Sequence, residues 1–323
     1  MRRPEKPTGH RWPWLGAVWA WPAMLVALAA LLHPACHRDN PPGDNNNNGD
    51  PGPCGEGWVH IPAGPFEMGV DEYDSRFYLH APQGTYPKVI VQMSDYCIQH
   101  TEVSVASYRE CVDASACEEP AQVTEGLGEC NYALVPSDRE DHPVTCMTWE
   151  QARTYCRDWE GGDLPSEAQW EKAARGDSMD GRILPWGDAP VSCTRANYDE
   201  NGPYNDDTGE GSGYGCFHQY YPSTWPVGYL RTTKGDSPYG VKDMAGNVAE
   251  VTLDCFDKTF YARCVEQGCV DPVDVEFEGC WHSARGGTTA TEGSHLQTIS
   301  RGGPGSDEFG TSIGFRCAKA YDP

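Results

Sequence analysis

Residues 142–176, HPVTCMTWEQARTYCRDWEGGDLPSEAQWEKAARG, contain two helix starts in close succession. In Thr148-Trp149-Glu150-Gln151 the Thr148 hydroxyl can accept from the Gln151 amide while the Gln151 side chain reaches back, which is a capping box. Ala152, Tyr155, Cys156 and Trp159 then recur at helical spacing, so one apolar face is expected, and Gly161-Gly162 ends the helix. Ser166-Glu167-Ala168-Gln169 repeats the device, with Trp170, Ala173 and Ala174 on the buried side and Gly176 as the stop. The centre of the chain is therefore expected to form two short, capped helices rather than a long one.

Towards the N-terminus, Trp58 to Ile61, Phe66 to Met68 and Val89 to Met93 read as short strands. Pro62-Ala63-Gly64-Pro65 between the first two reads as a hairpin-type entry. Ser104 is a candidate N-cap for a helix to Val112, with Val105, Tyr108 and Val112 at helical spacing. Beyond residue 176 the chain turns glycine-, aspartate- and aromatic-rich with little helical periodicity down to Pro323. Disulfides, ions or tryptophan packing are expected to hold such a region.

Composition narrows the function classes. Against 24 Lys+Arg stand 48 Asp+Glu, a net charge of −24 over 323 residues, which excludes a nucleic-acid binder as the default reading. With 38% hydrophobic residues the chain can build a core, while 36 Gly and 26 Pro exclude domination by long helices. Fifteen cysteines with no C-x-x-C pair point to disulfides in an oxidising compartment rather than to zinc.

The N-terminus supplies a route to that compartment. Arg2, Arg3, Lys6 and Arg11 precede an apolar run whose cleanest part is Ala23 to Leu32, the length of a signal-peptide core and short of the roughly 20 residues of a membrane span. Leu32-His33-Pro34-Ala35-Cys36 resembles a bacterial lipoprotein box, although His33 and Pro34 match it poorly. Residues 1–36 are read as a signal peptide of lipoprotein type with Cys36 as the lipidated residue; plain secretion is the alternative. Residues 37–53, HRDNPPGDNNNNGDPGP, hold almost nothing apolar and read as a flexible tether ahead of a folded part, 54–323.

Ten segments in order resemble the formylglycine-generating enzyme family, also called sulfatase-modifying factors: GWVHIPAGPFEMG (57–69), TEVSVASYREC (101–111), HPVTCMTWEQARTYC (142–156), LPSEAQWEKAARG (164–176), LPWGD (184–188), AN (196–197), PVG (226–228), SPYGVKDMAGNVAE (237–250), RGG (285–287) and GFRC (314–317). The resemblance implies a single compact α+β domain related to the C-type-lectin fold, poor in regular secondary structure and rich in disulfides. Function does not follow from the fold.

The family's oxidases convert a sulfatase cysteine to formylglycine with oxygen and a copper(I) ion held by two cysteines after RGG. The corresponding positions here are Thr291 and Leu296, and no cysteine lies between Cys280 and Cys317. Copper(I) prefers soft sulfur ligands, which neither side chain offers. The lone His295 reads as an ordinary surface or packed histidine, and Arg285, Gly286, Gly287, Arg301 and Arg316 as structural. Copper is therefore not expected, and the leading reading is a non-catalytic domain that binds a protein or glycan through residues 285–301. An oxidase with a rearranged metal site is the alternative.

The resemblance also implies structural calcium, held by the side chains of Asp243 and Glu250 with the carbonyls of Gly246 and Val248. Solvated carboxylates or arginine partners are the other reading of that pair. A second site would draw on Asn197, the carbonyl of Tyr198 and an acidic residue within 205–210. Family tryptophans are missing beside Glu250, where Ala249 and Val251 stand; Trp225, Tyr220 and Tyr221 are candidates to refill that wall. Among the cysteines the resemblance specifies the pair Cys156–Cys317, while Cys193 and Cys216 flank the acidic loop and are expected to close it.

Overall fold

Both capping boxes form. The Gln151 amide donates to Thr148 Oγ1 at 3.0 Å and the Thr148 amide to Gln151 Oε1 at 3.1 Å. The Ser166–Gln169 pair repeats this at 3.1 and 2.8 Å. Each cap satisfies helix N–H groups that have no partner inside the helix, at about 1 kcal/mol apiece.

The computed structural model describes residues 52–76, 84–120, 130–177, 181–200, 216, 224–230, 232–275, 279–302 and 310–322. The chain divides into Met1–Asn40 and Pro41–Pro323. The expected signal segment, Cys36, nearly all of the tether, Tyr220, Tyr221 and residues 205–210 lie outside the described residues. Among the described residues no helix is long and apolar enough to cross a membrane.

In chain order the elements are β1 (Trp58–Ile61), β2 (Gly64–Met68), β3 (Val89–Met93), β4 (Tyr96–Gln99), α1 (Val105–Asp113), α2 (Trp149–Thr154), α3 (Glu167–Arg175), β5 (Ala249–Cys255), α4 (Phe260–Gln267), β6 (His282–Arg285), β7 (Arg301–Gly302), β8 (Ile313–Gly314) and β9 (Ala318–Ala320). Among the described residues they form three small sheets, ordered β1-β4-β9, β2-β3 and β7-β6-β5-β8. All pairs are antiparallel except β5–β8.

Three expectations are corrected. The first two strands do not pair as a hairpin: β2 pairs with β3 and β1 with β4. Pro62-Ala63 cannot supply the left-handed pair that a two-residue hairpin turn requires, so the chain crosses from one sheet to another. Lys172 fixes the crossing by donating to the carbonyls of Pro62 at 2.6 Å and Gly64 at 3.1 Å. Next, α2 runs into a single π turn, Tyr155–Trp159. That wider turn carries Trp159 off the apolar face, leaving it 39% exposed, while Tyr155 and Cys156 stay buried. Finally, α4 is a helix where no helical periodicity was expected. Its N-cap, Thr259, makes no side-chain capping bond, so no capping signal announced it.

Fourteen cysteines form seven disulfides, including the expected Cys156–Cys317 and Cys193–Cys216. The Cys156–Cys317 bridge closes 161 residues, and the chain-entropy relation gives it about 5 kcal/mol. It ties the π turn after α2 to the segment leading into β9. Around it pack Tyr108, Tyr155, Leu164 and Phe315, while Trp170 belongs to a second core beneath β2–β4.

Candidate functional site

The segment from Asp243 to Glu250 is a loop feeding β5. Its backbone is unusual: Asp243, Gly246 and Asn247 all have left-handed φ values, of 57°, 80° and 65°. Gly246 is required, because a Cβ there would lie 2.2 Å from the Asn197 carbonyl oxygen. The strain at Asn247 is repaid by its position as a hub. Its amide donates to Asn197 O at 2.7 Å, and its side-chain oxygen accepts from the Trp225 amide at 2.7 Å. Its side-chain nitrogen donates to Glu102 Oε1 at 2.9 Å.

Three carboxylates converge here. Glu250, on β5, has no exposed surface; Oε2 accepts from Arg316 Nε at 2.6 Å and Trp170 Nε1 at 2.8 Å, and Oε1 from Arg316 Nη2 at 2.6 Å. The arginine-partner reading therefore describes Glu250, and the ligand role expected of it is left a single oxygen lone pair, on Oε1. Asp243 accepts the Gly228 amide on Oδ2 at 2.6 Å. Glu102, in the loop after β4, is 2% exposed, and its Oε2 has no hydrogen-bond partner. Burial, together with the Asp243 and Glu250 carboxylates and against the pull of Arg316, holds the Glu102 carboxyl well above the usual range. Lys242 brings no relief, since its ammonium pairs with Asp236 at 3.0 Å.

Glu102 and Asn247 were missed as site residues by sequence reading. The left-handed Asn247 carries no composition signal, and Glu102 is more than a hundred residues from its neighbours. At the expected second calcium position the Asn197 side chain is engaged, accepting from the Cys216 amide at 3.1 Å and donating to Asn247 Oδ1 at 3.3 Å. The acidic residues expected to complete that position lie outside the described residues.

The RGG turn leaves β6 beside this loop, and the Gly246 amide donates to Gly286 O at 2.9 Å. Arg285 is buried, donating to Glu167 Oε1 at 2.9 Å, Glu171 Oε2 at 3.1 Å and Tyr261 Oη at 2.9 Å. Arg301 joins it on Glu167. Although burial pushes Glu167 up, Arg301 and Arg285 together hold its carboxyl below the usual range. Thr291 turns its hydroxyl to its own loop, accepting from the Thr288 amide at 2.8 Å. Leu296 is fully buried among Cys193, Ala196, Tyr198, Cys216, Trp225 and Ala245. Trp225 thus packs behind this loop, and His295 is exposed, within 3.2 Å of Ser294 Oγ.

Residues 46–321 match the family model described as a sulfatase-modifying factor enzyme 1-like domain. The chain belongs to this family. It is similar to a formylglycine-generating enzyme of Streptomyces coelicolor, 33% identical over 57% of this chain and 54% of that protein, so it spans about half of that relative's length. It is also similar to a Bos taurus protein called inactive C-alpha-formylglycine-generating enzyme 2, 26% identical over 80% of this chain and 87% of that one. The solved structure of PvdO from Pseudomonas aeruginosa shares the fold, with a TM-score of 0.58 at 20% identity over 81% of this chain and 94% of that chain. Sulfatase-modifying factor domains thus include both members named as enzymes and members named as inactive.

Proposed function

We propose that this protein is an extracytoplasmic, calcium-stabilised member of the family that binds a protein or glycan and does not oxidise cysteine. The observation that carries the reading is the state of the two positions after RGG. Thr291 is spent on its own loop, and Leu296 plugs a core, so neither offers a soft ligand for copper(I). The similarity to a protein named inactive supports a role outside catalysis.

Calcium fits the residues on one specific count. Glu102 Oε2 is a buried carboxylate oxygen without a partner, set against the Asp243 and Glu250 carboxylates with Arg316 as their shared arginine. A hard divalent cation takes such oxygens, together with carbonyls from a loop like 243–248. Glu102 and Asp243 would hold it, with Gly246 and Val248 supplying carbonyls and Glu250 at most one lone pair. The cation would neutralise the cluster and fix the loop from which Asn247 reaches Asn197 and Trp225.

Seven disulfides and the N-terminal run before Cys36 support export, with Cys36 as the anchor point on the membrane. The decisive test is chemical: incubate the purified chain with copper, oxygen and a cysteine-containing sulfatase peptide, and search for the aldehyde by mass spectrometry. No conversion is expected. Turnover would overturn the binding reading in favour of an oxidase with a rearranged metal site.

A further inference from the structure

Away from the carboxylate loop, the far end of β5 places two cysteines and a histidine together. Cys255 and His282 are direct register partners across the antiparallel β5–β6 pair, so their side chains leave the sheet on the same side. Cys280 stands two residues before His282, which returns it to that side in extended chain. Both sulfurs and a ring nitrogen of His282 lie within 4.8 Å of one another. The sulfurs are joined as the Cys255–Cys280 disulfide.

The imidazole is set up as a ligand. Its ring stacks on Trp149 with centroids 3.7 Å apart and 3° between planes. Its Nδ1 is buried with no hydrogen-bond partner. A ring fixed by stacking, with a buried nitrogen that no protein group occupies, has a lone pair it can offer to a metal ion. The bridge is also accessible. Of the fourteen bridged cysteines only Cys130 and Cys280 are not buried, and Cys280 adjoins Trp281, which is 56% exposed.

We propose that the Cys255–Cys280 bridge and His282 form a redox-gated site: once a dithiol reductant opens the disulfide, Cys255 Sγ, Cys280 Sγ and a ring nitrogen of His282 bind one thiophilic d10 ion of the zinc(II) class. The dithiol supplies two electrons and two protons; its own S–S bond forms as the Cys255–Cys280 bond breaks to two thiols. The metal then displaces both thiol protons to solvent. Two thiolates and an imidazole are ordinary zinc ligands, and the partly exposed Cys280 side leaves the fourth position to water. The ion would restore the tie between β5 and the segment entering β6 that the covalent bridge provides when oxidised. Neither the carboxylate loop nor the positions after RGG take part.

The test uses the full chain. It is reduced under conditions that keep it folded and desalted without oxygen, its free thiols are mapped by alkylation and mass spectrometry, and it is titrated with cobalt(II), followed by zinc(II). The expected result is one equivalent of cobalt with a thiolate charge-transfer band, bleached by zinc, and protection of Cys255 and Cys280 from alkylation. Oxidised protein should show no band, and His282→Ala, which keeps both cysteines, should bind about tenfold more weakly or worse. Four results would each overturn the proposal: a bridge that resists reduction in the folded chain, free thiols at 255 and 280 without a band, His282→Ala binding like the unmodified chain, or protection falling on Cys130 and Cys146 instead.

Discussion

Two buried clusters of acids lie on either side of Trp170, and they are balanced differently. Beneath α3, Glu167, Glu171 and Asp254 meet Arg175, Arg285 and Arg301, with Ser283, Tyr261 and backbone N–H groups completing the carboxylate contacts. In the second cluster, Glu102, Asp243 and Glu250 share Arg316, and Glu102 keeps an oxygen with no donor. A buried charge is tolerated when it is paired and hydrogen-bonded and is costly when it is not. In the first cluster every carboxylate finds donors, the unpartnered atoms being donors themselves, Arg175 Nε and Nη2, and Asp254 is pushed up to about 8 by burial and the Glu167 charge; it reads as structure. The second is short of positive charge, the condition that a bound cation would correct.

The largest effect should come from breaking the balanced cluster. Arg285→Met strips donors from both Glu167 and Glu171 in a fully buried site, and a loss of about 3–5 kcal/mol in urea unfolding is expected. A cost below about 1 kcal/mol for Arg285→Met would mean that the two clusters do not differ in the way described.

The next effect should come from emptying the unbalanced cluster. With free calcium near 100 times Kd, binding adds about 2.7 kcal/mol, so a chelator should lower Tm by roughly 5–10 °C for a domain of this size. Asp243→Ala should erase the difference between calcium and chelator. A melting curve unmoved by chelation would remove calcium from the account and leave the orphan oxygen of Glu102 to a proton.

What could be read in the sequence was mostly local. The capping boxes at Thr148 and Ser166 work within four residues, and both were legible; the Cys156–Cys317 pair came with the family pattern. α4 was missed because Thr259 offers no capping bond, and Trp159 was misplaced because a π turn breaks the helical period on which its position was read. Glu250 was expected as a calcium ligand or an arginine partner, but Arg316 and Trp170 reach it from far along the chain, so which donors it meets was not legible. Glu102 is the clearest case: in Thr101-Glu102-Val103 it reads as a surface acid, and only tertiary structure buries it beside two other carboxylates.

The smallest effect is also the most discriminating, because its sign should depend on calcium. Glu102→Gln keeps a polar side chain of similar size, whose amide oxygen can still accept from Asn247 Nδ2, but removes an acid whose ionised form burial and the Asp243 and Glu250 carboxylates disfavour and whose Oε2 has no donor. In chelator the variant should therefore be more stable than the unmodified chain, by about 1 kcal/mol or a little more. In calcium it loses an anionic ligand, so its calcium-dependent gain in Tm should shrink and the order of the two proteins should reverse. Calorimetry in calcium and in chelator reads this crossing directly, and isothermal titration should show weaker binding by Glu102→Gln. Equal destabilisation in both conditions would make Glu102 a packing residue held by Asn247, and the contrast between the two clusters would then rest on Asp243 alone.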